Sequence, residues 1–414
     1  MPPNAKLVIY SAAIPHQNPE LKKAKKLGIT ANSYAEVLGD LTKKYQTLAV
    51  AGSHGKSTTT ALLSLTLIKA GLDPTVIIGA KLKEFKDSNF HNGKSNYLVL
   101  EADEYHESFL NYSPFAAIIT NIDREHLDYY KNLTGIKNAF LKFINNVQPN
   151  GILVINKDDK NLLSLRNKIQ KIAAKNKLRV YWYSIRDGLA RNKKIRDKLA
   201  RTLKILGDHN ISNALAVYVL AKALKIKDKD IFNVINRYRG AWRRMEYRGQ
   251  AKFRIQNAEF KIPVYDDYAH HPTEIKATLS GIAQKWPKST LICVFQPHQA
   301  QRLSLLFGDF VRAFDSANTL VLLDIFKVRG RDKVSQNVSS KKLAEAINKR
   351  LSKSKNIKLK KIIHLPYFNQ KQLPKLLKEI IKNISVNQRT HPRQSAIIVM
   401  MGAGDIYKIT NGLI

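Results

Sequence analysis

Residues 48–60 read LAVAGSHGKSTTT, a short apolar run that leads into glycines, a lysine and hydroxyl side chains. A strand that feeds a glycine turn and then a helix N-terminus is typical of a phosphate-binding loop. Backbone N–H groups and the helix end attract phosphate oxygens, the Lys56 ammonium adds a full charge, and the Ser57 hydroxyl can hold Mg²⁺. Apolar residues recur at helical spacing over 58–71 and stop at Gly71, which predicts the helix that follows. The stretch predicts an α/β unit that binds a nucleoside triphosphate.

The glycine spacing of this loop differs from that of the widespread P-loop. Only Ser53 and His54 separate Gly52 from Gly55, whereas the common pattern G-x-x-x-x-G-K-[ST] has a longer spacer. An ordinary Gly-Lys-Ser turn without a ligand therefore stays an alternative at this point.

The composition indicates a globular chain of several domains. Its 414 residues with 44% hydrophobic content suffice for sizeable cores, and this length predicts about two or three domains. No apolar run approaches the roughly 20 residues that span a bilayer, and the N-terminal residues lack a signal-peptide pattern, so we expect a cytoplasmic protein. The single cysteine, Cys293, cannot form an internal disulfide and lies within the strand-like LICVF, so we expect it in a core.

The net charge of +38 raises the question of a nucleic-acid partner. The basic residues are, however, spread between apolar positions of amphipathic stretches such as 156–179 and 352–384, which is typical of solvated helix faces. We therefore expect the charge to attract anionic nucleotides and acidic substrates without a requirement for nucleic acid. A basic, nucleic-acid-dependent ATPase stays an alternative.

The order of strand-like and helix-like segments predicts an α/β protein in three parts. Residues 1–40 are typical of a partial Rossmann-like unit, the remnant of a substrate-binding domain. Residues 41–248 are typical of a central parallel-sheet P-loop ATPase domain, and 249–414 of a C-terminal Rossmann-like domain. The boundary is placed near Gly249 because two short β-like runs interrupt the alternation there.

Two strand ends carry side chains that suit a cation. YLVLEADE (97–104) places Glu101 or Asp103 at the carboxyl end of a strand, where parallel sheets present ligands and where a carboxylate can hold Mg²⁺. A solvated acidic turn is the alternative. The next strand ends in TNIDREH (120–126), which places His126 on the following loop, either as a cation ligand or as an ordinary structural histidine.

Two further motifs are candidates for nucleotide contact. Asn210 and Asn213 begin an alanine-rich helix, where they can bind an adenine edge or cap the helix. Arg243 and Arg244 lie near the predicted domain boundary, where a guanidinium can stabilise a transferred phosphoryl group or simply lie at the surface.

Three loops in the last part suit ligand contact or tight turns. DDYAHHPTE (266–274) combines acids, a tyrosine and two histidines before a helix-starting proline. FQPHQAQR (295–302) ends a strand, and its His298 and Arg302 can face an anionic substrate. MMGAGDI (400–406) predicts a glycine turn that either contacts a ligand or only connects a strand to a helix.

Taken in order, AGSHGKSTTT, EADE, TNIDREH, GDHNISNALA, RRME, DDYAHHPTE, FQPH and MGAGDI closely resemble the Mur ligases of peptidoglycan precursor synthesis. The short glycine spacing is that family's own form. The histidines between the glycines, in DDYAHHP and in QPH are similar to the alanine-adding branch and to its relatives, the murein tripeptide ligases. SAAIPHQNPEL (11–21) is similar to the end of that branch's UDP-binding domain, so the resemblance runs from about residue 5 to the end.

The resemblance implies an ATP- and Mg²⁺-dependent ligase that activates the lactyl carboxylate of UDP-N-acetylmuramate as an acyl phosphate, which L-alanine then attacks. It implies that Lys56 holds the β- and γ-phosphates, that Ser57 and Glu101 hold one Mg²⁺, and that His126 holds a second. The other implied roles are ATP binding by Gly52, Ser53, His54, Gly55, Thr58, Asn210, Asn213 and Asp267, catalysis by Arg244 and His270, and substrate contact by Arg302 and His298. A murein tripeptide ligase stays the alternative, and the short HESFLNYSP segment (106–114) favours alanine.

Three departures from the family pattern qualify this picture. The glycine-rich turn that receives the UDP diphosphate is absent, so the resemblance implies that about sixty residues of the first domain are missing. Gln299 stands where relatives often carry arginine, and Glu125 stands where they carry aspartate. Because Lys56 and His126 look exposed to ligand, we expect Lys56→Ala and His126→Ala to abolish ligation without unfolding the chain.

Overall fold

The computed structural model describes residues 2, 4–11, 14, 15, 17–187, 190–255, 258–327, 337–354, 357–366, 372–387 and 396–414. The chain forms two compact units. Unit 1 comprises Met1–Leu203 and Ile211–Tyr238, and unit 2 comprises Lys204–Asn210 and Arg239–Ile414. Within the SAAIPHQNPEL stretch, Ala12, Ala13 and His16 lie outside the described residues.

Unit 1 alternates strands and helices, as its sequence pattern predicts. Its strands are β1 (Leu7–Tyr10), β2 (Thr30–Ser33), β3 (Gln46–Ala51), β4 (Thr75–Leu82), β5 (Ser88–His91), β6 (Tyr97–Glu101), β7 (Ala116–Ile119), β8 (Ile152–Asn156) and β9 (Arg179–Tyr183). Its helices are α1 (Pro19–Lys26), α2 (Tyr34–Lys44), α3 (Lys56–Lys69), α4 (Leu127–Tyr130), α5 (Leu133–Asn145), α6 (Lys160–Ser164), α7 (Arg166–Lys175), α8 (Ala190–Thr202), α9 (Asp208–Ala223, assigned to unit 2 up to Asn210) and α10 (Asp228–Arg237). Short 3₁₀ turns span Lys83–Phe85 and Tyr105–Asn111.

The main sheet of unit 1 has the strand order β5-β4-β6-β3-β7-β8-β9. Its strands pair in parallel except β4 with β5, and β1 pairs in parallel with β2 in a separate sheet. Strand β3 lies in the middle, and its nearly continuous apolar sequence matches burial on both faces. Because β6, β3 and β7 are parallel neighbours, their carboxyl ends meet at one edge, where α/β sheets place ligands.

Aromatic packing and helix burial hold this edge in place. Phe109, in the turn after β6, stacks on Phe143 with ring centroids 4.7 Å apart and meets the edge of Phe140 at 5.2 Å. Helix α3 is buried along most of its length, so apolar and hydroxyl side chains cover nearly all of its faces. The N-terminus of α3 therefore cannot shift without disturbing the core of unit 1.

Unit 2 contains a second α/β sheet. Its strands are β10 (Glu246–Ile255), β11 (Ala258–Asp267), β12 (Thr290–Phe295), β13 (Thr319–Leu323), β14 (Lys361–Leu365) and β15 (Ala396–Met401). Its helices are α11 (Pro272–Lys285), α12 (Ala300–Leu305), α13 (Phe307–Phe310), α14 (Ser340–Leu351), α15 (Leu373–Asn387) and α16 (Ile406–Asn411). The strand order is β10-β11-β15-β12-β13-β14, with an antiparallel β10–β11 pair and parallel pairing elsewhere.

The α/β class with parallel-dominated sheets, predicted from the sequence, is confirmed. Cys293 lies fully buried in β12, as expected, and burial raises the pKa of its thiol. Gly249, near the predicted domain boundary, lies inside β10, whereas the two compact units divide between Tyr238 and Arg239. Across the helices that the structure describes, none has the length and apolar character that a membrane crossing requires.

Candidate functional site

The turn between β3 and α3 requires glycine at both ends. Gly52 has φ +144° and Gly55 has φ +81°, which are backbone conformations that other residues rarely adopt. A Cβ at Gly52 would collide with the Thr120 hydroxyl, and a Cβ at Gly55 would lie 2.6 Å from Asn213 Oδ1. The unusual glycine spacing therefore follows from this turn's tight fit against β7 and α9. Thr58, in the first turn of α3, is buried.

Side chains after β7 hold this turn by hydrogen bonds. The Asn121 side chain accepts from the His54 N–H at 2.9 Å and donates to the His54 carbonyl at 2.9 Å, and Thr120 Oγ1 donates to the same carbonyl at 2.7 Å. The Asp123 N–H donates to Ser53 Oγ at 2.8 Å, and His54 Nε2 lies 3.0 Å from Asp123 Oδ2. Thr120, Asn121 and Asp123 were not assigned to the site from sequence. Their position directly after β7 was the available signal.

Lys56 begins α3 and turns back toward the loop. Its Nζ donates to the Gly52 carbonyl at 2.7 Å and to Glu104 Oε2 at 2.8 Å. Burial lowers the pKa of Lys56, but the carboxylates of Glu104, Asp103 and Glu101 outweigh burial and raise that pKa, which keeps Lys56 charged. The Lys56 side chain is only 14% exposed. The expectation that Lys56 faces ligand without being packed is therefore wrong.

Ser57 and Glu101 form a pair of oxygen donors next to the loop. Ser57 Oγ donates to Glu101 Oε1 at 2.9 Å, and the Gly79 N–H donates to Glu101 Oε2 at 2.7 Å. Octahedral Mg²⁺ with ligands at about 2.1 Å keeps adjacent ligand oxygens about 3 Å apart. The Ser57 and Glu101 oxygens already have the separation of two adjacent Mg²⁺ ligands, so these residues fit the cation that the family resemblance implies.

Glu104 is the buried carboxylate of this site, and it was not assigned from sequence. It is 1% exposed, and within the described part of the chain its Oε1 has no hydrogen-bond partner. That oxygen lies 3.6 Å from His126 Nε2. Burial raises the pKa of Glu104, and the Lys56 ammonium opposes the rise. The available signal was its place in EADE, just beyond the carboxyl end of β6.

Asp103, Glu104 and His126 form a group that suits a divalent cation. Each offers one ligand atom, and these atoms lie within 4.8 Å of one another. Carboxylate oxygens and an imidazole nitrogen are ligands for Mg²⁺ and Mn²⁺. His126 has φ +52°, a left-handed conformation that is uncommon outside glycine and often found where a site imposes it.

Unit 2 brings three of the sequence-predicted residues together. The rings of His270 and His298 have centroids 6.0 Å apart, and Arg302 Nη1 lies 3.3 Å from the His298 carbonyl. The His298 ring also stacks on Phe326 at 5.6 Å. The loop after β11, the loop after β12 and the first turn of α12 therefore form one cluster of imidazole and guanidinium groups.

The two arginines of RRME have different environments. Arg243 is 1% exposed, and its guanidinium donates to the carbonyls of Gly404, at 3.0 Å, and of Gly402. It therefore holds the MGAGDI turn. Arg244 is more exposed, and its guanidinium lies 4.9 Å from the centre of the Tyr268 ring. Of the two, Arg244 is the better placed to meet a ligand.

The three remaining nucleotide candidates are divided between the two units, although Asn210 and Asn213 both belong to helix α9. Asn213 belongs to unit 1 and lies against Gly55. Asn210 belongs to unit 2, and its Nδ2 donates to the Leu206 carbonyl at 2.6 Å. Asp267, also in unit 2, accepts hydrogen bonds at both carboxylate oxygens, including one from the Ala269 N–H at 2.7 Å. Burial raises the pKa of Asp267 to about 6.

Family models match most of the chain. The Mur ligase middle domain matches residues 50–221, the Mur ligase glutamate ligase domain matches 243–404, and the Mur ligase family catalytic domain matches 2–46. A UDP-N-acetylmuramate–L-alanine ligase of Clostridium acetobutylicum is 37% identical over 424 residues, which cover 98% of this chain and 84% of the relative. A ligase of the same name from Clostridium kluyveri is 41% identical over 369 residues, which cover 85% of this chain and 77% of the relative.

Solved structures show the same fold. A UDP-N-acetylmuramate–alanine ligase from Thermotoga maritima superposes with a TM-score of 0.71 at 23% identity, covering 99% of this chain and 84% of its own. A murein peptide ligase from Psychrobacter arcticus superposes with a TM-score of 0.61 at 20% identity, covering 99% and 85%. At such identities these likenesses concern the fold.

Proposed function

Because the chain belongs to the Mur ligase family, we propose that it uses ATP to join L-alanine to the lactyl carboxylate of UDP-N-acetylmuramate in the cytoplasm, as a step of peptidoglycan precursor synthesis. The relatives with 37% and 41% identity carry that activity in their names. One structural observation carries the proposal. Lys56, the Ser57–Glu101 pair and His126 lie around the N-terminus of α3, which is an arrangement for holding two anions against each other.

The proposed chemistry explains why the site needs several positive charges. The lactyl carboxylate and the γ-phosphate are both anions, so they repel each other unless cations lie between them. We assign Lys56 to the β- and γ-phosphates, Ser57 and Glu101 to one Mg²⁺, and His126 to a second. Bound Mg²⁺ would neutralise charge on the phosphates and the carboxylate.

The reaction then proceeds in two balanced steps. The carboxylate oxygen forms a bond to the γ-phosphorus while the bond to the β-phosphate bridging oxygen breaks, which gives an acyl phosphate and ADP. The alanine amine attacks the acyl carbon, phosphate leaves, and the amine loses a proton. The main-chain N–H groups of residues 52–55 and the α3 N-terminus orient the triphosphate during transfer.

The other sequence-predicted residues are assigned the roles that the family resemblance implies. Asn210 and Asn213 would contact adenine, and Asp267 the ribose. Arg244 and His270 would act on the reacting groups, with Arg244 stabilising charge on the transferred phosphoryl group. His298 and Arg302 of unit 2 would bind the anionic substrate together. The distance of 3.3 Å between Arg302 Nη1 and the His298 carbonyl supports this, because it places the two residues side by side.

The test is a ligation assay with the purified chain, ATP, Mg²⁺, UDP-N-acetylmuramate and labelled L-alanine. We expect stoichiometric ADP and UDP-N-acetylmuramoyl-L-alanine. With ¹⁸O in the lactyl carboxylate, one label should appear in the released phosphate, because the acyl phosphate passes its bridging oxygen to phosphate. Lys56→Met should abolish turnover, whereas Lys69→Met, at the exposed far end of α3, should not.

Other outcomes would contradict the proposal. Turnover with the murein tripeptide and none with L-alanine would indicate the recycling ligase. Hydrolysis of ATP that depends on DNA or RNA, with no ADP formed on the muramate substrate, would indicate a nucleic-acid-dependent ATPase.

A further inference from the structure

Glu104 connects two groups that the proposed function assigns to different ligands. Its Oε2 accepts from the Lys56 ammonium at 2.8 Å, and its Oε1 lies 3.6 Å from His126 Nε2. The side chain is 1% exposed, and Oε1 has no hydrogen-bond partner in the described ranges. A buried carboxylate oxygen without a donor is costly, so its presence here calls for a physical reason.

The main chain holds Glu104 in this position. The Glu104 carbonyl accepts from the Tyr130 hydroxyl and from the Glu107 N–H, the latter at 3.0 Å. The main-chain carbonyl of Asp103, the residue before Glu104, accepts from the Phe109 N–H at 3.0 Å. Phe109 in turn stacks on Phe143 in the core. The backbone of Asp103 and Glu104 is therefore held beside the core of unit 1.

Charge balance shows what this group lacks. Two carboxylates and one imidazole lie within 4.8 Å, and Lys56 is the ammonium that hydrogen-bonds Glu104. When Lys56 turns to the β- and γ-phosphates, that positive charge leaves Glu104. The buried Glu104 carboxylate then requires another cation, because a charge without a partner is costly away from water. The neighbouring Asp103 carboxylate, which is exposed, adds a second negative charge at the same place.

We propose that Glu104 is a ligand, together with Asp103 and His126, of the second divalent cation, and that it exchanges Lys56 for this cation when the triphosphate binds. The inference rests on the proposed function where that function assigns His126 to a cation. The geometry fits, since ligands of Mg²⁺ at about 2.1 Å are separated by about 3 Å when adjacent and about 4 Å when opposite. The 3.6 Å between Glu104 Oε1 and His126 Nε2 lies between these limits.

The exchange has a consequence that separates it from a purely structural role. Glu104→Gln keeps the shape and one acceptor but removes the charge. It should weaken cation binding beside His126, and it should leave metal-free nucleotide binding unchanged or tighter, because Lys56 is then released from its carboxylate. A structural defect would weaken both.

The experiment uses Mn²⁺ as the probe with the full chain and no muramate substrate. Electron spin echo modulation from an imidazole ¹⁴N identifies Mn²⁺ bound at His126, and that signal should vanish in His126→Ala. We expect Glu104→Gln to weaken this Mn²⁺ site by at least about tenfold, the effect that even an outer-shell partner has on metal affinity. Glu107→Gln is the matched control, because Glu107 lies nearby and pairs with the exposed Lys142 at 3.5 Å.

A second titration measures ATP binding in EDTA, and the Mn²⁺ titration is repeated with a non-hydrolysable ATP analogue in case the cation enters only beside the nucleotide. Mn²⁺ binding equal to wild type in Glu104→Gln under both conditions would overturn the inference. So would an equal loss of Mn²⁺ and metal-free ATP binding. Glu104→Asp, which restores the charge, should recover part of the Mn²⁺ affinity.

Failure of this inference is distinguishable from failure of the proposed function. No L-alanine is present in these titrations, so a chain that does not ligate L-alanine can still show the Glu104-dependent Mn²⁺ site. Conversely, if the wild-type chain ligates L-alanine and the Glu104→Gln variant binds Mn²⁺ as tightly as wild type, the proposed function stands and the inference about Glu104 is wrong.

Discussion

Replacing Lys56 by methionine removes the ammonium beside a carboxylate that water hardly reaches. The Lys56 side chain is 14% exposed and that of Glu104 is 1% exposed, with 2.8 Å between Nζ and Oε2. The stability of unit 1 in Lys56→Met then depends on what becomes of Glu104. It either stays charged in a poorly solvated position or takes up a proton.

Both routes have a calculable cost. Breaking a buried ion pair by removing one partner costs about 3–5 kcal/mol. Protonating a carboxyl with a reference pKa near 4.3 costs about 1.4 kcal/mol per pH unit, which is about 5 kcal/mol at pH 8 and about 1 kcal/mol at pH 5. The cheaper route prevails, so we expect a loss of about 3–5 kcal/mol at pH 8 and about 1 kcal/mol at pH 5.

The sign of the pH dependence follows from linkage. Burial raises the pKa of Glu104 in the folded chain, and removing Lys56 raises it further because Lys56 opposes that rise. A carboxyl whose folded pKa exceeds its unfolded pKa contributes stability below the unfolded value and loses it as the pH rises toward the folded value. The Lys56→Met variant should therefore be almost as stable as wild type near pH 5 and much less stable than wild type at pH 8.

The assay is urea unfolding followed by the fluorescence of Trp182, which lies in β9 of unit 1, in a background with Trp242→Phe and Trp286→Phe. The double variant Lys56→Met/Glu104→Gln has no buried charge at this position, so its stability should not fall between pH 5 and 8 more than that of the parent. Lys69→Met, on the exposed end of the same helix, should change stability by less than about 0.5 kcal/mol.

Two results would refute this explanation. The first is a destabilisation by Lys56→Met that is equal at both pH values, since a lost packing contact does not titrate. The second is a loss that persists undiminished in the double variant, since Glu104 would then not be its source.

Three further outcomes follow from the structure. Gly52→Ala forces an ill-suited residue to φ +144° against Thr120, at a cost of about 1–3 kcal/mol from the backbone alone; titration with a fluorescent ATP analogue should show a large loss of affinity, and wild-type affinity would contradict this. Burial raises the pKa of Asp267 to about 6, so the protonated carboxyl stabilises unit 2 below about pH 4. This contribution, about 3 kcal/mol, is lost as the pH rises from about 4 to about 6. Thermal unfolding of Asp267→Asn should lack that loss, and an unchanged pH dependence would argue against it. Cys293, fully buried, should react with a thiol reagent only in denaturant, and rapid labelling of the folded chain would show the burial to be wrong.

The loop at 52–58 could be predicted from sequence because its chemistry is local. The left-handed turns need glycine, the helix start needs an apolar periodic run behind it, and Lys56 and Ser57 follow within the same short segment. The parallel pairing of most strands also followed from alternating strands and helices, since a crossover helix lets successive strands run in one direction. The order of the strands within each sheet was not predicted.

The partners of these residues could not be predicted in the same way. Glu104 lies 48 positions from Lys56 in the chain, and Arg243 lies 161 positions from Gly404, yet each pair is in direct contact. Adjacent residues with similar chemistry also separate in the fold. Arg243 became a buried support for a glycine turn while Arg244 stayed partly exposed, a difference of backbone direction that the dipeptide does not encode.

The sequence alone therefore determined the fold class, the phosphate loop and the family resemblance, because each depends on residues that act where they stand in the chain. Tertiary structure alone decided that Lys56 is packed against a buried carboxylate, and that this same carboxylate of Glu104 also lies beside His126. The physical reason is that burial and charge pairing are properties of neighbours in space. Those neighbours come from the ends of β6 and β7 and the start of α3, and only the folded sheet brings them to one edge.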